Sequence, residues 1–188
     1  MEPFEIQSGT DDRTPISRAE YFTVSVPRFI VYELISVGLW SLYWSYRNWD
    51  AINKVGYKKK ISPLGRTIFH NLFLFSLLRN ILNGAKRIGY AESYNPSSLA
   101  ALLITLNISL RVMGKLQATT HAAALIVSVL SAVILILGPI VLSPAIKAIQ
   151  YISVKQGREL QDNNKLTAGQ IGLFFVGLLF WASAFWSK

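Results

Sequence analysis

The chain has 188 residues, 52% hydrophobic, 12% aromatic and 15% charged, with a formal net charge of +9. So few charges, with a mean hydropathy of +0.36, are unlike a soluble domain, where about a quarter of residues are charged, and point to a polytopic membrane protein. No cysteine is present, which excludes disulfides, thiolate catalysis and cysteine metal sites, and the positive charge sits beside apolar runs, which favours anionic lipid over nucleic acid as its partner.

In chain order, residues 1–24 read as a flexible polar tail dense in Gly, Ser, Thr, Asp and Pro. A basic stretch followed by a short apolar one is absent there, so a cleaved signal peptide is not expected. Pro27 stands where helices like to start. Residues 27–46 then predict a first membrane span of about 20 residues, or ~30 Å. At 100° per residue, Glu33, Ser36, Trp40, Tyr43, Trp44 and Arg47 share one stripe, with Val31, Ile35, Leu39 and Leu42 opposite. That span should therefore pack against other helices with its small and polar side.

A basic loop follows, carrying Lys58, Lys59 and Lys60, and Ser62-Pro63 opens the next helix. Over 66–87 the faces change near Phe73. Beyond it, Ser76, Arg79, Asn80, Asn83, Lys86 and Arg87 fall on one arc and Leu74, Leu77, Leu78, Ile81 and Leu82 on the other. This is a basic amphipathic helix, read as interfacial or re-entrant. Further spans are predicted at 97–117, 122–142 (with a kink at Gly138-Pro139) and 168–186. The expected fold is thus an all-α polytopic membrane bundle of four transmembrane helices plus that amphipathic helix, in a single domain over 25–188.

Charge counts orient it. With 67–87 not crossing, segments 47–96 and 143–167 lie on one side and hold 13 of the 19 Lys and Arg against four acids. The positive-inside rule puts that side in the cytoplasm and both termini outside. A variant keeps the N-terminus inside and makes the first segment re-entrant.

Few residues carry candidate chemistry. Glu33 is the one acid inside a predicted span; it either snorkels alone, pairs with Arg111 at similar depth, or serves transport, with Asn107 one turn from Arg111. Trp40, Tyr43, Trp44 and Trp49 read as an aromatic belt at the inner boundary. Lys58, Lys59, Lys60, Arg79, Lys86 and Arg87 are candidate anionic-lipid contacts. His70 and His121 have no acidic neighbour at ligand spacing, so no metal site is expected, and no nucleophile elbow or triad pattern occurs.

One block carries a resemblance. Arg28-Phe29, Gly38-Leu39-Trp40, Tyr43-Trp44, Tyr46, Asn48-Trp49, Ile61-Ser62-Pro63 and Arg66 resemble a family of small bacterial integral membrane proteins defined by a domain of unknown function. The resemblance implies a bacterial cytoplasmic membrane and no particular chemistry. The function expected is a non-enzymatic scaffold or accessory subunit that binds lipid, a second copy or another membrane protein, with no cofactor. The alternative is a small oligomeric transporter or channel lined by Glu33, Asn107 and Arg111.

Overall fold

The computed structural model describes residues 18–55, 61–113, 115, 121–158 and 166–186. These residues are all-α, with seven helices and no strand: α1 (Val26–Ile35), α2 (Leu39–Lys54), α3 (Pro63–Ile68), α4 (His70–Arg87), α5 (Pro96–Met113), α6 (His121–Lys155) and α7 (Ala168–Trp186). Two of them, α5 and α6, are long and apolar enough to cross a membrane, with a shorter apolar stretch at Ala168–Ser183. The expected four spans are therefore not found.

The first expected span fails for a local reason. Helix α1 stops at Ile35, and the backbone reverses through Val37 (φ 51°) and Gly38 (φ 86°), both left-handed. The chain then returns as α2. Antiparallel ring pairs record the reversal: Tyr32 meets Trp40 at 4.6 Å and Phe29 meets Trp44 at 5.8 Å between centroids. Further from the turn, the Phe22 N–H donates to Asn48 Oδ1 at 3.0 Å. The stretch expected as one span thus belongs to a helical hairpin, α1 and α2, whose two ends lie on the same side.

A second hairpin follows. Ser62 caps α3 by accepting the Gly65 N–H at 3.1 Å. The helix breaks at Phe69 (φ −95°, ψ 39°), four residues before the expected change of face, and α4 returns. The Arg66 guanidinium sits over Trp49 at 4.2 Å and over Phe73 at 5.2 Å, tying both arms to α2. Helix α4 buries Leu74, Leu77, Leu78, Ile81, Leu82 and Ala85 while Arg79, Asn83, Lys86 and Arg87 stay exposed. Its apolar face is therefore covered by α5 and α6, which pack on it, and not by lipid.

Helix α6 sets the frame. At 35 residues it is about 52 Å long, well over the ~30 Å of a bilayer core. It continues as one helix through Pro139 and Pro144. Its first half exposes Leu125, Ile126, Val129, Leu130, Val133, Ile136 and Leu137, whereas Leu142, Ala145, Ile146, Ile149 and Ile152 in its second half are buried. Around that second half close Trp40, Trp44 and Trp49, the apolar face of α4, and Ala19, Tyr21 and Val24. The segment 18–24, expected as part of a flexible tail, is thus packed; Gln150 Nε2 also donates to Val24 O at 2.9 Å.

The buried end of α6 is also the basic end. Tyr151 OH donates to Ile88 O at 3.3 Å, which brings the Lys86–Arg87 end of α4 beside Lys147 and Lys155. Helix α5 leaves this end and reaches Met113, whose Sδ lies 3.9 Å from Ser131 Oγ. Helix α7 climbs along the first hairpin: Phe174 stacks on Trp40 at 5.9 Å, and Trp181 Nε1 donates to Leu34 O at 3.2 Å. Gly177 is where the two backbones meet; a Cβ there would overlap the Ile35 carbonyl oxygen and stand 2.8 Å from Ser36 Cα.

Candidate functional site

The apices of the two hairpins face each other across a cavity of about 450 Å³. Glu33, Val37, Gly38 and Ser41 line it from the first hairpin, Ile68, Phe69, His70, Asn71 and Leu72 from the second. Helix α5 adds Leu103, Leu106, Asn107, Leu110 and Arg111, and α6 adds Ile134, Leu135, Gly138 and Leu142. Three of the polar candidates singled out in the sequence, Glu33, Asn107 and Arg111, therefore share one enclosure.

Each polar wall residue has a local reason for its position. Residues 39–41 open α2 with backbone N–H groups that have no partner inside the helix. Glu33 supplies one: its Oε2 accepts the Ser41 N–H at 2.7 Å. Ser36 supplies another, its Oγ accepting the Trp40 N–H at 2.9 Å. An acidic side chain is favoured at that end of the helix by the dipole as well. Glu33 is thus a cap reaching back over the hairpin turn, and it is buried. No ion pair joins it to Arg111, which remains exposed on α5. Asn107 turns its amide toward its own helix, Nδ2 donating to Leu103 O at 2.8 Å, which leaves Oδ1 as an acceptor.

His70 also lines the cavity, a place its sequence does not announce, because the amphipathic pattern that organises α4 starts at Leu74. The structure puts it at the first position of α4, 8% exposed, with no hydrogen-bond partner for Nδ1. The break at Phe69 places it there, and Phe69 carries none of the usual turn residues. Among the described residues no group of three or more His, Asp or Glu is placed to hold a metal ion.

The remaining candidates separate. Trp40, Trp44 and Trp49 are fully buried and Tyr43 is partly buried, so they form a core where a boundary belt was expected. The reason is the hairpin: folding α1 onto α2 turns the aromatic stripe inward. Arg47 belongs to this cluster, donating to Tyr43 OH at 2.8 Å and lying over Phe22 at 4.9 Å. Arg79, Lys86 and Arg87 are exposed along α4. Lys58, Lys59 and Lys60 lie outside the described residues. Beside the basic end, Tyr90 OH donates to Glu92 at 3.1 Å, and burial together with that bond pushes its phenol up to about 12.

No family model, no curated protein and no solved structure matches this chain.

Proposed function

We propose that the chain is a non-enzymatic integral membrane protein that binds lipid, acting as a scaffold or an accessory subunit. Segregation carries this reading. Exposed apolar side chains gather on α5, on the first half of α6, on α7 and at the second hairpin's apex, as with Ile68 and Leu72. Most exposed cations gather at the other end, at Arg79, Lys86, Arg87, Lys147 and Lys155, while Arg111 and Lys115 mark the far end of α5. A body with an apolar layer and a basic end suits a bilayer whose cytoplasmic leaflet is anionic. In this reading α5 and α6 cross, both hairpins dip in from the cytoplasmic side, and the N-terminal segment lies in the cytoplasm of a bacterial cell.

The test is lipid enrichment around the purified protein. At about 1 kcal/mol per cation near an anionic surface, reversing Arg79, Lys86 and Arg87 to Glu should remove most enrichment of phosphatidylglycerol over bulk membrane. Equal phosphatidylglycerol in parent and variant overturns the reading. A second reading, a small oligomeric transporter or channel, is favoured by the cavity holding Glu33, Asn107 and Arg111. Flux into vesicles that Glu33→Gln abolishes would select it.

A further inference from the structure

The cavity joins an acidic and a basic side chain without letting them touch. Glu33 is held on the Ser41 N–H at 2.7 Å, and Arg111 lines the same cavity from α5 without an ion pair between the two. Opposite charges on one cavity attract each other, and with no ion pair closed between them the space is open to a ligand. A simple anion entering there would meet Glu33, and a simple cation would meet Arg111. A molecule with one charge of each sign satisfies both ends.

The other wall groups fit the same pattern. The first turn of α4 begins at His70, where backbone N–H groups and the helix dipole favour negative charge. His70 itself is 8% exposed and leaves Nδ1 unpartnered, an unmet hydrogen-bonding position in a wall where buried polar atoms are normally satisfied. On the acceptor side, Asn107 lies one turn from Arg111 on α5 and, with its amide nitrogen occupied, offers Oδ1 as an acceptor. A volume of about 450 Å³ lies in the roughly 300–1,000 Å³ range of small-molecule sites.

We propose that this cavity binds an aminoalkyl phosphate, its ammonium at Glu33 and the Asn107 carbonyl, its phosphate at Arg111 and the His70 end of α4. Resting on the lipid-binding reading, this names the site and the headgroup. The lipid form, phosphatidylethanolamine, is favoured because Ile68 and Leu72 border the cavity at 69% and 77% exposure and offer a path for acyl chains.

The experiment is native mass spectrometry of the full chain in detergent with phosphatidylethanolamine or phosphatidylcholine added. The two share a phosphate, but choline has no N–H to donate. Loss of charge-assisted hydrogen bonds predicts about tenfold better retention of the ethanolamine lipid. Glu33→Gln keeps an acceptor for the Ser41 N–H and should bring that ratio to about one. Arg111→Gln, on an exposed side chain, should weaken both lipids about tenfold. Displacement of bound lipid by free phosphoethanolamine assigns the site to the soluble form; its failure to displace assigns it to the lipid. Equal retention of the two lipids by the parent, or a ratio that neither variant changes, overturns the proposal. Reversing Arg79, Lys86 and Arg87 should leave the ratio intact while lowering phosphatidylglycerol, so failure of the cavity and failure of the basic end are told apart.

Discussion

Glu33 shows how one residue can answer two demands. A lone acid in an apolar run reads as a transport group, because its burial is costly without compensation. In the structure the compensation is backbone: the carboxyl group caps α2 across a left-handed turn. Gly38 makes that turn affordable, since its φ of 86° strains any residue with a Cβ. Gly177 is constrained by space instead. Replacing Gly177 by Ala drives a methyl group into the Ile35 carbonyl, and overpacking of this kind costs about 1–3 kcal/mol. Gly172, with nothing within 4 Å of its added Cβ, is the control. Thermal unfolding in detergent should show a clear loss for Gly177→Ala and none for Gly172→Ala; equal curves would mean α7 does not press on the first hairpin.

Among the elements, α4 is the one whose pattern and environment diverge most. Its 3.6-residue period announces an amphipathic helix, and burial follows that period except at Asn80, which is buried, and Phe75, which is exposed. Periodicity names the face, though, without naming what covers it. The cover here is α5 and α6. Leu78→Ala, at a fully buried position, should therefore cost about 2–5 kcal/mol as a core cavity does. Leu72→Ala, at 77% exposure near the apex, should change stability little. If the two variants unfold alike, the apolar face of α4 meets lipid after all. The face change near Phe73 was legible as a conflict within one helix; the break itself falls at Phe69, where no Gly or Pro marks it.

At the scale of the whole molecule, the first hairpin decides topology. Phe22 meets Asn48 and Val24 meets Gln150, so the chain enters and leaves that hairpin at the basic end. The absence of native cysteine makes the arrangement directly testable. Single cysteines at Glu20 and Lys86 should react with a membrane-impermeant maleimide only from the cytoplasmic face, and one at Lys115 only from the other. Labelling of position 20 from outside would restore a crossing first segment and remove the re-entrant reading.

Three things were set by the residues alone. The long apolar runs of α5 and α6, the amphipathic period of α4, and the helix starts at Pro27 and Ser62-Pro63 depend on neighbours within a turn or two, and such short-range order survives in a linear reading. The path of residues 27–46 did not. A mostly apolar stretch of twenty residues satisfies the hydropathy of one span and of two short helices folded together, because hydropathy measures transfer from water and not direction. Contacts across the turn decided it, Glu33 with Ser41 and Phe29 with Trp44, together with α7, whose Gly177 meets Ile35. The cavity is of the same kind. Glu33, His70 and Arg111 stand far apart in the chain, and only the meeting of two helix breaks beside α5 sets them around one cavity.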